Sequence, residues 1–343
     1  MKLSIGQILR GRNATYRLLN ALCAPTVSKA QVVDGNTMKP EFVVVKTALE
    51  DDVTIALRRE RNVYLIPGIR SSPYIRSQLD ILASDEDRNR SQPKVEDLDT
   101  APPGMVFEWM EYDLWHVPSE RFRHNSILPK VISRSILSAL ALLKTEYDAI
   151  HTDVDSPSPL VKVGDLGNVI GGGYDKMRLQ SFECRAPEVW RGLGVWHSSD
   201  VWSFGVTLAH WLSHSTIFGP RDKFIGGMTE AWCIAKIRRL VGPIGPPVNL
   251  DYQLEFKMAK FLEMTSVELE GAESPRHYIT VGTLRQELEK IPDPKVDPEL
   301  LDFIEFLLVL DHTKRPTAVE ALQHPYLCLD SVAGTSSKSI DAE

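Results

Sequence analysis

Residues that could carry chemistry concentrate in the stretch IHTDVDSPSPLVKVGDLG, residues 150–167, and in one lysine far upstream. The stretch holds Asp153 and Asp165, and carboxylate oxygens are the ligands that hard cations such as Mg²⁺ prefer. Lys46 closes the run VVVK and carries an ammonium group that can bind phosphate oxygens. Each signal is weak alone, because a lysine after valines also fits a strand that ends at solvent, and DLG also fits an ordinary turn.

The elements that would position these residues are first of all strands. The predicted strands before residue 111 are TYRLL, KAQVV, FVVVK, SSPYIRSQLDIL and GMVFEWM. Asp34, Gly35 and Asn36 mark a hairpin turn between KAQVV and FVVVK. The segment DDVTIALRRERNVYLI, which follows FVVVK, predicts a helix. This half of the chain is therefore expected to form a small β lobe with one helix.

The second half of the chain is predicted to be helical. The segment LPKVISRSILSALALLKTEY carries apolar residues at a period of roughly 3.6. Ser199 is placed to cap DVWSFGVTLAHWL, whose apolar residues lie all around the helix and predict burial on every side. Asp297 and Pro298 open the helix DPELLDFIEFLLVL. Thr317 and Glu320 form a capping box for TAVEALQ.

The order of these motifs resembles a eukaryotic protein kinase domain over roughly residues 14–328, nearest to the CMGC group and its SR-protein-kinase-like branch. The motifs that carry the resemblance are VVVK, RRERNVY, VFEWMEYDL, HTD, DLG, CRAPEV, DVWSFG and KRPT. The resemblance implies an α+β, bilobal fold, with a small β-rich N-lobe, a larger helical C-lobe and an ATP cleft between them. It implies an N-terminal extension at 1–13, an N-lobe at 14–110, a C-lobe at 111–330 and a disordered tail at 331–343.

The resemblance also assigns roles in phosphate transfer. Lys46 would hold the α- and β-phosphates of ATP and pair with Glu60 in RRERNVY. Asp153 of HTD would act on the substrate hydroxyl as the catalytic base. Asp165 of DLG would bind Mg²⁺, and Ser158 would be a poor second metal ligand with one neutral oxygen.

The adenine end of the cleft is assigned to VFEWMEYDL and to the glycine-rich loop. The Glu108 carbonyl and the Met110 backbone would face the adenine, and Asp113 would lie near the ribose. Phe107 would close the back of the pocket. Val27 in PTVSKA matches the valine of the family's glycine-rich loop and would contact the nucleotide.

Other matched residues have structural roles in the family. Glu188 of CRAPEV and Arg315 of KRPT would form a buried ion pair, and losing such a pair costs about 3–5 kcal/mol. Asp200 would anchor the backbone of the catalytic loop. Arg185, before the APE triplet, resembles the CMGC pattern.

The chain departs from the family in two loops. Asn20, Leu22 and Pro25 align with the three glycines that would let the backbone approach phosphates. In the catalytic loop, Asp155 stands at the usual lysine and Ser158 at the usual asparagine. The stretch from Asp153 to Asp165 is also shorter than in the family. Two explanations of this shortened loop stay open: a real lesion in a degenerate kinase, or residues lost through a mispredicted exon boundary.

The activation segment departs as well. Thr152 replaces the arginine that usually grips an activation-loop phosphate, and NVIGGGYDKMRLQ has no Ser or Thr to phosphorylate. The two absences agree with each other. We therefore expect no phosphorylation switch of the usual type.

Composition limits the classes of binding partner and the cellular location that are expected. The net charge of −7 gives no general basic surface, which argues against nucleic acid as a partner and makes basic partners easier to accommodate. The family resemblance implies a protein substrate of the basic, Ser/Arg-rich class. No signal peptide or apolar run of membrane-spanning length is seen, so no membrane association and a cytoplasmic or nuclear location are expected. The four cysteines, Cys23, Cys184, Cys233 and Cys328, form no CxxC pair and are expected to be reduced, buried thiols.

Three functions remain open. The leading interpretation is a protein kinase that transfers the γ-phosphate of Mg·ATP to Ser or Thr hydroxyls, with activity impaired by its shortened loop. The alternatives are a pseudokinase that binds partners, and a peptide-binding scaffold that never meets ATP. Small-molecule phosphotransferases of the same fold rank low, because they generally lack the APE and buried-helix motifs.

Overall fold

The computed structural model describes residues 4–23, 25–34, 40–47, 51–83, 103–124, 126–146, 161–268, 274–280 and 282–328. Within these residues, six strands form one antiparallel sheet in the order β1-β2-β3-β4-β6-β5. The strands are β1 (Ile8–Arg10), β2 (Thr15–Cys23), β3 (Val27–Asp34), β4 (Phe42–Thr47), β5 (Gln78–Ile81) and β6 (Gly104–Glu108). The five predicted strands are thus found, and β1 adds an edge strand that the sequence did not reveal.

The alternation of side chains along β4 decides where its lysine points. Val43 and Val45 are buried on one face of the sheet, in a core with Tyr16 and Leu18. Val44 is buried on the other face. Because successive side chains of a strand point to opposite faces, Lys46 shares the face of Val44.

Helix α1 (Asp51–Tyr64) covers this second face of the sheet. Its Leu57 and Tyr64 are buried there together with Phe107 of β6. Glu60 lies one turn from each of these helix residues, so it shares their buried side. The predicted helix therefore presents a carboxylate to the face on which Lys46 lies.

The rest of the described chain is largely helical. Its helices are α2 (Pro67–Ser71), α3 (Leu128–Glu146), α4 (Pro187–Arg191), α5 (His197–Ser213), α6 (Thr229–Leu240), α7 (Gln253–Met264), α8 (Leu284–Glu289), α9 (Pro298–Leu307) and α10 (Ala318–Ala321). Two short strands, β7 (Ser266–Val267) and β8 (Arg276–His277), pair with each other. Within the described residues, no helix is both long and apolar enough to span a bilayer.

Helix α5 is the centre of the helical core. Its large side chains Trp202, Leu208 and Trp211 are almost fully buried on different sides of the helix. The prediction that DVWSFGVTLAHWL is buried all round is therefore confirmed. Burying side chains of this size contributes about 1.5–3 kcal/mol each before entropy is counted.

Two of the three predicted helix caps are confirmed. The Asp297 side chain accepts a hydrogen bond from the Glu299 N–H at 3.0 Å. The Thr317 hydroxyl accepts from the Glu320 N–H at 3.2 Å, and the Glu320 carboxylate accepts from the Thr317 N–H at 2.8 Å.

The cap assigned to Ser199 is wrong. Helix α5 begins two residues earlier, at His197, and Ser199 is its third residue. The Ser199 hydroxyl accepts from the Trp196 N–H at 3.0 Å and donates to Glu188 Oε1 at 2.6 Å. Its hydroxyl is a hydrogen-bond donor to the buried Glu188 carboxylate, and a contact between such distant residues cannot be predicted from the local sequence pattern.

The predicted ion pair between Glu188 and Arg315 is confirmed. Two guanidinium nitrogens of Arg315 each donate to one Glu188 oxygen at 2.8 Å. Both side chains are buried. Arg315 also donates to the carbonyls of Ser198 and Val309 at 2.8 and 2.7 Å, so one cation joins α4, the start of α5 and the loop before α10.

The four cysteines are free thiols. Cys233 is buried, and burial raises the pKa of its thiol. Cys184 is half-buried, but Cys23 and Cys328 are exposed, so the prediction of four buried thiols is wrong for those two. Cys23 is the last residue of β2, and Cys328 directly follows the last described helical turn.

Candidate active site

Three charged side chains from separate elements meet beside the end of β4. The Lys46 Nζ lies 2.7 Å from Glu60 Oε2 and 2.6 Å from Asp165 Oδ1. The Glu60 side chain is 1% exposed, whereas the Asp165 carboxylate is 75% exposed. Lys46 is therefore held from the buried side, while Asp165 keeps an open side for a ligand.

The backbone around Asp165 is shaped to bring its carboxylate to Lys46. Asp165 has φ 60° and ψ 65°, a left-handed conformation that is costly for a residue with a side chain. The next residue, Leu166, is buried in the same core as Leu57 of α1. The Leu166 N–H donates to Glu60 Oε1 at 3.1 Å. Glu60 thus uses one oxygen for Lys46 and the other for the loop that carries Asp165.

The electrostatics of the cluster keep Lys46 charged. Burial alone lowers the pKa of Lys46, but the charge of Glu60 and the hydrogen bonds to Asp165 and Glu60 outweigh burial and raise the pKa above its ordinary value. Burial, with the charge of Glu60, also raises the pKa of the nearby Tyr64 hydroxyl. The site therefore offers an ammonium group that stays charged at neutral pH, next to the exposed side chain of Asp165.

The hairpin of β2 and β3 ends next to this cluster. Val27 pairs with Lys46 across β3 and β4, and its side chain packs against the core on the Lys46 face. The Thr26 carbonyl accepts from the Thr47 N–H at 2.8 Å, which ties the turn to the end of β4. Pro25, in this turn, has no N–H to offer a phosphate.

Strand β6 ends where the chain crosses to the helical part. Phe107 is buried, and its ring centroid lies 5.6 Å from that of Tyr64. Met110 is half-buried, and within the described ranges its N–H and C=O have no hydrogen-bond partner. These backbone groups are available to the edge of a planar base.

Asp113 lies on the exposed surface beyond this crossing. It caps a short 3₁₀ helix, since its Oδ1 accepts from the His116 N–H at 3.0 Å. The same oxygen lies 2.7 Å from His116 Nδ1. Asp113 is thus held in place by a local turn and is not drawn into the Lys46 cluster.

Glu108 has partners that the sequence did not reveal. Its carbonyl oxygen accepts a hydrogen bond from Arg76 Nε at 2.9 Å. Its carboxylate accepts from Lys162 Nζ and from the Ser77 N–H, each at 2.6 Å. The sequence does show an arginine, Arg76, directly after Ile75 in a strand-like segment. It does not show that Arg76 contacts Glu108, because that contact depends on the register of strands far apart in the chain.

Comparison with known proteins identifies the family. Residues 99–327 match the model of the protein kinase domain, which is more than half of the chain. The chain belongs to the protein kinase domain family. The predicted bilobal kinase fold, with a β-sheet N-lobe and a helical C-lobe, is confirmed.

Several curated kinases resemble this chain. The serine/threonine-protein kinase ssn3 of Aspergillus niger is 26% identical over 256 residues, covering 65% of this chain and 58% of that protein. The serine/threonine-protein kinase MAK of Rattus norvegicus is 25% identical over 257 residues, covering 69% of this chain and 36% of that protein. A putative dual specificity tyrosine-phosphorylation-regulated kinase 3 homolog of Drosophila melanogaster is 28% identical over 249 residues, covering 65% and 29%.

The chain thus spans well under two thirds of the length of these relatives. They support a CMGC-type kinase. The assignment to the SR-protein-kinase-like branch stays a prediction.

The catalytic loop of this kinase domain lies outside the described residues. The predicted base Asp153 and the predicted second metal ligand Ser158 both fall in the range 147–160, as do Thr152 and Asp155. Their roles stay predictions. The tail at 331–343 also lies outside the described residues.

Asp200, predicted to anchor that loop, lies in the first turn of α5. It is open to solvent on one side, and in the described part of the chain its carboxylate has no hydrogen-bond partner. Desolvation by the surrounding protein, followed by the charge of Glu188, raises the pKa of Asp200 to about 6. A carboxylate in this position gains from backbone N–H donors, which is the role that the resemblance implies.

The segment before the APE triplet is fixed by side chains of the C-lobe. Gln180 has φ 66°, and its side-chain amide donates to the Ser199 carbonyl at 3.1 Å and to Ser203 Oγ at 2.8 Å. Arg185 donates to the carbonyls of Leu179 and Gln180 at 2.8 and 2.9 Å. Hydrogen bonds from Gln180 and Arg185 thus tie this loop to helix α5 and to its own backbone.

Proposed function

We propose that this CMGC-type protein kinase domain binds Mg·ATP between its lobes and transfers the γ-phosphate slowly to Ser or Thr hydroxyls of a protein. The cluster of Lys46, Glu60 and Asp165 carries the proposal, because it combines a fixed cation with an open carboxylate. We place the N-lobe at 14–110, to which the preceding segment adds the edge strand β1, and the C-lobe at 111–330.

The residues present fit the phosphate end of Mg·ATP. Lys46, oriented by Glu60, would donate to oxygens of the α- and β-phosphates. Asp165 would hold Mg²⁺, since its carboxylate is exposed and of the ligand type that this cation prefers. When bound, Mg²⁺ supplies positive charge that offsets the charge on the phosphates. Met110 would meet the adenine, Val27 would pack on it and Asp113 would lie at the ribose.

Transfer is expected to be slow because three stabilising features are missing. The β2–β3 turn has no glycine that would bring backbone N–H groups close to the phosphates. Asp155 and Ser158 replace a cation and a better metal ligand. Loss of one electrostatic stabiliser of this kind commonly costs about 10²–10³ in rate.

The net charge of −7 supports a basic protein substrate, and a Ser/Arg-rich peptide is the proposed class. The alternative function is a pseudokinase that binds partners. One observation favours that alternative, because the Glu108 carbonyl at the adenine end already accepts a hydrogen bond from Arg76.

The experiment that decides between them has two readouts. Calorimetry with Mg·ATP should show weak, Mg²⁺-dependent binding that Asp165→Ala removes. Transfer of radiolabelled phosphate to a Ser/Arg-rich peptide should be slow and should disappear in Asp153→Asn. Nucleotide binding without any transfer would leave a pseudokinase, and the absence of both would refute an ATP site. Asp175→Ala is the control, since Asp175 is exposed and lies outside the Lys46 cluster.

A further inference from the structure

Arg76 enters the nucleotide cleft from a rigidly held backbone. Its N–H donates to the Val163 carbonyl at 2.8 Å, and its carbonyl accepts from the Tyr64 hydroxyl at 2.6 Å. Ile75, the preceding residue, forms a parallel bridge with Val163. The backbone of Arg76 is thus fixed between α1 and the segment that leads to Asp165.

The side chain runs across the inner end of the cleft. The Arg76 Nε donates to the Glu108 carbonyl, 2.9 Å away at the end of β6. The aliphatic stem passes over Gly164, because a Cβ on that glycine would lie 3.3 Å from Arg76 Cδ. Gly164 immediately precedes Asp165. The guanidinium therefore lies at the end that would hold the base, and its stem runs past the residue next to the predicted metal ligand.

Arg76 is a partly desolvated cation with acidic groups around it. The first cause of its altered pKa is desolvation, which lowers the pKa from its ordinary value. The opposing influences come from Tyr64, Glu108, Glu60 and Asp165. A guanidinium stays charged at neutral pH in spite of such a shift. In the part of the chain that the structure describes, its other nitrogens have no hydrogen-bond partner.

Arg76 changes which hydrogen-bonding groups a purine would meet at the end of β6. The family resemblance places the Glu108 carbonyl against the adenine, where it would accept a hydrogen from the amino group at position 6. Here a donor already occupies that carbonyl, and the remaining guanidinium donors lie beside it. An amino group would meet donors, which is unfavourable. The O6 and N7 atoms of a 6-oxopurine are acceptors, and arginine pairs well with that edge.

We infer that Arg76 is a specificity-determining residue of the nucleotide site, which disfavours adenine and favours 6-oxopurine nucleotides such as GTP and ITP. This inference rests on the proposed function, since it requires the purine to lie against Glu108. It goes further, because it assigns the base preference to a residue that the kinase motifs do not include.

The test is calorimetry of Mg·ATP, Mg·GTP and Mg·ITP with the wild type and with Arg76→Val. The valine variant should bind Mg·ATP about tenfold more tightly, as expected when one hydrogen-bonding conflict is removed. The same variant should lose affinity for Mg·GTP and Mg·ITP alike, because both carry O6. Arg70→Val, at an exposed arginine of α2, is the matched control and should change neither affinity.

A second variant separates the loss of hydrogen-bond donors from a loss of packing. Arg76→Met keeps a long stem over Gly164 but removes the donors, so it should shift the ratio of ATP to GTP affinity in the same direction. Thermal melting of each variant shows that it is folded. Binding of nucleotides with an unchanged ratio in both variants would overturn the inference and leave the proposed function intact. If no folded variant bound any nucleotide, the proposed function would fail and the inference with it.

Discussion

At the scale of single residues, Glu60 determines how Lys46 is used. Its carboxylate is almost fully buried and bridges the ammonium of Lys46 and the N–H of Leu166. A buried carboxylate with one partner removed is costly, so the cluster is stable only when strand, helix and loop are all in place. The geometry of Asp165 is therefore a property of three elements and not of the DLG triplet alone.

His210 makes folding stability sensitive to acid. It is buried on α5, its Nε2 accepts from the Phe218 N–H at 3.3 Å, and desolvation lowers its pKa from 6.5 to about 4. As the pH falls, His210 takes up a proton at a higher pH in the unfolded chain than in the folded protein. The free energy of unfolding therefore decreases between pH 6.5 and about 4. At the lower end of this range, His210 has reduced the free energy of unfolding by about 3 kcal/mol.

We therefore predict that the wild type loses more free energy of unfolding over this pH range than His210→Gln, which cannot be charged. Urea titrations at several pH values measure the difference. Identical pH slopes for the two proteins would contradict the assignment. His124→Gln, at an exposed histidine, is the matched control and should retain the wild-type slope.

Motif order could predict the residues of the phosphate end, but it could not predict those of the base end. Lys46, Glu60 and Asp165 each sit in a short pattern, and strand and helix periodicity then bring the first two together. Arg76 and Lys162 reach Glu108 only through the register of β5 with β6 and the bridge of Ile75 with Val163. No local pattern contains that information.

At the scale of elements, the Glu188–Arg315 pair joins the APE helix α4 to the loop before α10. We predict that Arg315→Ala lowers the free energy of unfolding by about 3–5 kcal/mol, because Glu188 is left buried without its partner. Urea unfolding followed by tryptophan fluorescence measures this, since Trp190 and Trp202 lie in the same core.

Lys314→Ala is the matched control for this prediction. Its side chain is 78% exposed and lies 3.5 Å from Asp311, and exposed pairs of this kind contribute about 0–1 kcal/mol. Equal losses in the two variants would count against a buried pair. Arg191, expected from the sequence to lie on the surface, is a poorer control, because it is half-buried and donates to the Pro246 carbonyl at 3.0 Å.

The predicted elements failed where a long-range partner overrides a local signal. Ser199 looked like an N-cap, but its hydroxyl is used by Trp196 and Glu188 inside α5. Strand β1 had no strong strand pattern of its own. It pairs with β2, and Asp80 fixes the turn between the two strands, because its carboxylate accepts from the Asn13 N–H at 3.0 Å and from the Tyr16 hydroxyl at 2.7 Å.

At the scale of the whole molecule, the described contacts that hold the phosphate end of the cleft come from outside residues 147–160. Asp165 is placed by the bridge of Val163 with Ile75 and by the hydrogen bond from Leu166 to Glu60, and both partners belong to the N-lobe. The predicted base Asp153 belongs to the shortened loop itself. Binding of Mg·ATP and transfer of its phosphate should therefore respond differently to changes in that loop.

We predict that inserting residues to give a full HTDxKxxN loop raises the rate of phosphate transfer to a Ser/Arg-rich peptide by about 10² or more. The reason is that the insertion replaces Asp155 with a cation and Ser158 with a better metal ligand, while Lys46, Glu60 and Asp165 keep their positions. Affinity for Mg·ATP, measured by calorimetry, should change much less. Asp153→Asn in the restored loop should abolish the gain. A chain that already turns over rapidly without the insertion, and loses that activity in Asp153→Asn, would show that the short loop is no lesion.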